Sequence, residues 1–144
     1  MNVGSAFRTS DAFLMEKIYL CGITAQPPHR EINKTALGAQ DTVDWEYAEH
    51  ITTLVRELAS DGYQIVAVEQ ADDSISLLDF QPEREDKYAF VFGNEVFGVS
   101  DEVVDKADVV LEIPQYGTKH SLNISVSIGV ILWDFMAKQK SHLH

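Results

Sequence analysis

Residues 109–123 carry the sharpest folding instruction in this sequence. Val109, Val110 and Leu111 form a short apolar run that stops at Ile113-Pro114, because proline cannot donate to a sheet ladder and restricts the residue before it. Gly117 permits a tight turn. Ser121 and Asn123 stand where short polar side chains cap the free N–H groups of a helix, and a second apolar run follows at residues 124–136. Strand, turn and helix in that order build open α/β sheets, which bind ligands in the loop between strand end and helix start. The same residues also suit a plain strand–cap–helix connection, so this stretch alone leaves both readings open.

The rest of the chain repeats the alternation. A helix is expected over residues 5–13, with Ala6, Phe7 and Phe13 inward, and a buried strand over Lys17–Cys21. Pro27-Pro28 makes a loop, residues 34–39 one helical turn, and residues 42–45 a short extended piece. Apolar positions at helical spacing predict a helix over residues 47–60, ended by Asp61-Gly62. Strands are expected at 63–69, 88–92 and 109–113, a polar loop at 72–86, a short helix at 101–107, and a last helix to about residue 138. Strands separated by helices imply an α/β fold with a largely parallel sheet and helices on both faces. One domain is expected over residues 1–140, with 141–144 as a tail.

The last helix is apolar all round. Between Leu122 and Ala137 its only formal charge is Asp134. Ile124, Ile128, Ile131 and Phe135 mark one stripe, and Val126, Val130 and Trp133 another. Such a helix must be buried on more than one side. Either it lies wholly inside the monomer, or one side meets a second subunit. On the second reading Ile128→Glu should give monomers.

No apolar run approaches the ~18 residues of a membrane span, and no basic-then-apolar signal pattern opens the chain. The single cysteine, Cys21, excludes an intramolecular disulfide, fits a reducing cytoplasm and reads as a small buried hydrophobe. The five histidines show no ligand spacing with Cys21, so no metal is expected. The net charge of -12 opposes a nucleic-acid role, but it is uneven. Residues 41–112 hold nineteen acids against four bases, whereas residues 1–40 are +1 and residues 113–144 are +2. His29, Arg30, Lys34, Lys119 and His120 are candidates for an RNA-facing patch on these milder ends, though scattered surface charge explains them equally.

Three segments then stand in order: N-V-G-S-A-F-R-T-S from Asn2, F-V-F-G-N-E-V-F-G from Phe90, and I-P-Q-Y-G-T-K-H-S-L-N from Ile113. Together they resemble the SpoU-type (TrmH-like) branch of the SPOUT RNA methyltransferases across nearly the whole chain. The resemblance implies a C-terminal trefoil knot, which periodicity does not reveal, and a homodimer formed through the last and first helices. It implies S-adenosylmethionine as cofactor and methyl transfer to a ribose 2′-hydroxyl of tRNA or rRNA in the cytoplasm. By that resemblance Arg8 activates the hydroxyl, with Asn2, Glu95, Ser121 and Asn123 completing the catalytic set. Phe92, Gly93, Gly98, Ile113, Ser121 and Leu122 match the cofactor cradle. Guanidinium is hard to deprotonate, so electrostatic support of a developing alkoxide suits Arg8 at least as well as a base role. Two departures stand out: Gln115 replaces the family's usual methionine, and no apolar strand precedes Asn2, so either the start is truncated or misassigned, or the sheet lacks a strand. A dimeric binding module of the same family, without turnover, is the alternative.

Overall fold

The computed structural model describes residues 3–22, 24, 26–93, 98–118 and 122–141. Six strands pair only in parallel among these residues, in two sheets. β1 (Lys17–Cys21) pairs with β2 (Asp44–Ala48). β3 (Tyr63–Val68), β4 (Ile75–Ser76), β5 (Lys87–Phe92) and β6 (Val109–Glu112) form the second sheet in the order β4-β6-β3-β5. The helices are α1 (Val3–Ala12), α2 (Arg30–Ala36), α3 (Ile51–Ser60), α4 (Asp101–Lys106) and α5 (Ile124–Ser141). Short 3-10 turns cover Ala39–Asp41 and Leu77–Asp79. No helix among the described residues is long and apolar enough to cross a membrane.

β3 shows why the sheet is covered on both faces. Its side chains alternate, as strand geometry requires. Val66 packs with Ala6, Leu111, Ile128, Ile131 and Leu132, beneath α1 and α5. Ile65 and Ala67 point the other way, to Val55, Val91, Val99 and Val103 under α3 and α4. All three are fully buried, and each of the larger two contributes roughly 1.5–3 kcal/mol. Asp108 locks the register: its carboxylate accepts the Ile65 N–H at 2.7 Å, and its own N–H donates to the Ile65 carbonyl at 2.8 Å. A third cluster joins Val3 and Phe7 of α1 to Leu20 of β1 and to Ile32 and Ala36 of α2. Phe7 is completely buried, Ala6 is buried and Phe13 half-buried.

Several expectations need correction. The loop expected over residues 72–86 carries β4 and the 3-10 turn Leu77–Asp79, and the helical turn expected over residues 34–39 starts earlier, as α2 at Arg30, and ends at Ala36. The helix foreseen over residues 47–60 begins at Ile51, because Tyr47 and Ala48 belong to β2, opposite Leu20 and Cys21. Tyr47 also donates its hydroxyl to the Gly22 carbonyl at 2.6 Å. A non-local strand pairing overrides the local helical pattern there. The extended piece at 42–45 is the first half of that strand, shifted to Asp44–Ala48.

The last correction concerns α5. Ile128 and Ile131 are buried in the monomer core, with Ile124 and Phe135 packed against them. The other stripe lies open: Val126 is 51% exposed, Val130 36% and Trp133 55%. Ile128 therefore cannot report on a subunit contact, and the substitution that should is on the Val126–Val130–Trp133 stripe. Asp134, the one acid of the helix, pairs with Lys138 at 2.8 Å. Lys138 also donates to the Leu77 and Phe80 carbonyls at 2.8 and 2.7 Å, fastening the end of α5 to the sheet side. Cys21 is half-buried, and burial pushes its thiol up, away from the reactive thiolate.

Candidate functional site

Pairing places Phe92 opposite Val68 on one side of β3, and Leu111 opposite Val68 on the other. The next residues along each strand, Gly93, Glu69 and Glu112, therefore stand side by side at the carboxyl edge of the sheet. Ligands bind at this edge in open parallel sheets. Phe92 and Ile113 are half-buried against the α5-side core, which anchors both ends of the edge. Ser74 donates its hydroxyl to Glu112 at 3.4 Å, holding the loop after β3 to the end of β6.

The glycines of this edge are explained by close approach. A Cβ on Gly93 would collide with the backbone of Gly98 and Val99, so the chain returns onto β5 at the point where it left it. Gly98 has a φ of +68°, and a Cβ there would run into the Glu69 carboxylate. Only glycine meets both demands at this position. Gly93→Ala should thus destabilise the chain by about 1–3 kcal/mol through overpacking. Scanning calorimetry should then read a fall of roughly 3–12 °C in Tm. An unchanged Tm would mean that Gly98 and Val99 do not lie against Gly93.

Glu69 is the residue that the sequence reading passed over. Its half-buried carboxylate accepts the Val99 N–H at 2.9 Å and the Gln70 N–H at 3.1 Å. A signal was present: an acid closing the apolar run I-V-A-V is hard to place in a core.

Phe92, Gly93, Gly98 and Ile113 are thus brought to one edge of the sheet. Leu122 and Asn123 lie just before α5 and are exposed. The Asn123 carboxamide oxygen accepts the Ser125 N–H at 2.8 Å, and its carbonyl accepts the Ser127 N–H at 3.0 Å. It therefore caps α5, as the local reading allows. Arg8 is exposed on α1, whose Ala6 packs on α5; Phe13, in the turn just after α1, lies with its ring centroid 5.8 Å from that of Trp133. The helix of the first segment is thereby laid on the helix that follows the third. Asn2, Glu95 and Ser121 lie outside the described residues, as do Lys119 and His120 of the basic patch. His29, Arg30 and Lys34 are exposed on or beside α2, which packs on α1. A cleft of about 350 Å³ between β1, β2 and α3 is lined by Glu46, Glu49, Glu57 and Asp61, a wall that repels phosphate.

Residues 1–133 match the model of the SpoU rRNA methylase family. The chain belongs to that family. Among SpoU relatives, the tRNA (guanosine(18)-2′-O)-methyltransferase of Aquifex aeolicus is 34% identical over 140 residues, covering 92% of this chain and 62% of the relative. The 23S rRNA (guanosine-2′-O-)-methyltransferase RlmB of Neisseria meningitidis is 28% identical, with 91% and 51% covered. The crystal structure of the A. aeolicus TrmH/SpoU tRNA modifying enzyme superposes with a TM-score of 0.85 at 29% identity, over 98% of this chain and 70% of that one. The AdoMet-bound rRNA methyltransferase of Sinorhizobium meliloti gives 0.86 at 26% identity, over 99% and 52%. The chain thus spans about half to three-fifths of the length of these curated relatives. Its α/β fold with parallel sheets is that of the SpoU structures.

Proposed function

We propose that this chain transfers a methyl group from S-adenosylmethionine to a ribose 2′-hydroxyl of tRNA or rRNA. The observation that carries this reading is the Gly93–Gly98 approach at the carboxyl edge, set within a family match over residues 1–133. The two glycines let backbone pack directly on backbone at that edge, with no side chain between, and such main-chain surface suits the flat, neutral adenine of the cofactor. Relatives named for methylation of guanosine in tRNA and in 23S rRNA support the substrate class. An AdoMet complex of a structural neighbour supports the cofactor.

When bound, the cofactor supplies an electrophilic methyl group on a sulfonium. Backbone at Gly93, Gly98, Ile113 and Leu122 holds the adenosine, with Phe92 and Ser121 completing the wall. A sugar hydroxyl is a weak nucleophile, so charge must be stabilised as it develops on oxygen. Arg8 takes that role, and its planar fork also holds an RNA phosphate. Asn2 and Glu95 orient the guanidinium, the carboxylate by a charge-assisted hydrogen bond. Ser121 and Asn123 supply polar contacts at the mouth of α5. The milder first and last segments, with Arg30 and Lys34 exposed beside α1, provide an RNA-facing patch on an acidic protein.

The same reading includes a trefoil knot at the carboxyl end and a homodimer in the cytoplasm. Val126, Val130 and Trp133 form the apolar stripe of the dimer contact, with α1 beside it. Apolar exposure in a continuous stripe marks such interfaces. Two measurements test the function. Calorimetry should detect binding of S-adenosylmethionine or S-adenosylhomocysteine, and mass spectrometry should find one ribose methylation missing from RNA of a deletion strain. A folded protein that binds neither nucleoside, and a deletion strain with unchanged ribose methylation, would remove the enzyme reading.

A further inference from the structure

The first residue after β3 is Glu69, and its side chain bridges two parts of the chain that lie thirty residues apart. Its backbone N–H continues the ladder to the Leu111 carbonyl at 3.1 Å, so the residue is fixed to β6 while its carboxylate reaches Val99. Val99 is buried and leads, through Ser100, into α4. Gly93 and the Gly98–Val99 backbone are therefore held in place from two sides. Gly93 touches the returning backbone at Gly98 and Val99, and Glu69 grips the same returning strand from the side.

Resting on the function proposed above, we infer that Glu69 is a positioning residue for S-adenosylmethionine. It touches neither the methyl group nor the hydroxyl. By holding Val99 and fitting against Gly98, it sets in advance the backbone that the adenosine contacts. Backbone recognition depends on such preorganisation, because a loose segment must be ordered at the moment of binding. A carboxylate suits the task better than an amide. Both its oxygens only accept, and each faces an N–H donor, Val99 for one and Gln70 for the other. Glutamine turns an NH₂ group toward one of those donors and keeps a single acceptor.

The test compares the unmodified chain with E69A and E69Q, by calorimetry with S-adenosylhomocysteine and by steady-state kinetics. E69A should weaken nucleoside binding roughly tenfold or more, with E69Q between it and the unmodified protein. KM for S-adenosylmethionine should rise in step, while kcat at saturating cofactor falls much less. Hydrogen exchange should show faster exchange of the Val99 amide in E69A. A folded E69A with unmodified affinity overturns the inference, even if its Tm is lower, since that is the signature of a purely structural role. If E69A does not fold, E69Q and E69D carry the test, because a carboxylate one methylene shorter draws back from the Val99 N–H. Unmodified affinity in both overturns it. Absence of binding by the unmodified protein overturns the functional reading and this inference together, and is told apart by preceding any substitution.

Discussion

Replacing Arg8 by alanine is expected to leave S-adenosylmethionine affinity within about twofold and to slow ribose methylation by roughly a hundredfold or more, the scale of one preorganised electrostatic contact. The separation follows from what Arg8 does. Arg8 is exposed on α1, and the role proposed for it is toward the RNA and the transition state rather than the bound nucleoside. Its neighbours on the helix, Ala6 and Phe7, are buried, so the truncation removes a solvent-side group and leaves the packing intact. Stability should accordingly change by only about 0.5 kcal/mol. Arg8→Lys should rescue little, because a point charge cannot reproduce a planar fork that serves a phosphate and a carboxylate together. The measurement is a single-turnover methylation assay beside calorimetric titration of the cofactor. A loss of less than a few-fold in an active preparation would make Arg8 an ordinary surface arginine. It would also end the mechanism proposed for it.

Ile128→Glu should unfold the chain, and Val130→Glu should leave it folded but dissociate the proposed dimer. The two positions are two residues apart on α5 and equally apolar. Ile128 is 6% exposed and packs with Ala6, Val66 and Leu111. A carboxylate there is desolvated with no cation beside it among these neighbours, a cost of several kcal/mol. A chain of this kind has only about 5–15 kcal/mol of net stability. Val130 is already 36% exposed, and a glutamate there meets solvent in the monomer. In a two-fold contact it meets a second apolar stripe, or its own copy. Far-UV circular dichroism should therefore lose its cooperative melt for Ile128→Glu and keep it for Val130→Glu. Sedimentation equilibrium should show dimer for the unmodified chain and monomer for Val130→Glu. A monomeric unmodified protein would remove the dimer, and a stably folded Ile128→Glu would contradict the burial.

The difference between those two residues shows what local pattern can and cannot say. The sequence alone determined four of the six strands: Lys17–Cys21 agrees to the residue, and the runs ending at Val68, Phe92 and Glu112 agree within one residue at each end, whereas β2 was misplaced and β4 was read as loop. Buried parallel strands are short continuous apolar runs between breakers, and that information is local. It also separated the two stripes of α5, since a 3.6-residue period is intrinsic to the chain. It could not say which stripe meets the core, because Ile128 and Val130 are alike in chemistry and differ only in what folds against them. Tyr47 and Ala48 make the same point from the opposite side. Their helical pattern yielded to pairing with Leu20 and Cys21, almost thirty residues away. The glycines at 93 and 98 were legible as a loop after a strand, but not that their backbones touch, nor that Glu69 reaches across to Val99. A contact across thirty residues leaves no period in the sequence, so only the tertiary structure could place that carboxylate at the edge where the cofactor is proposed to bind.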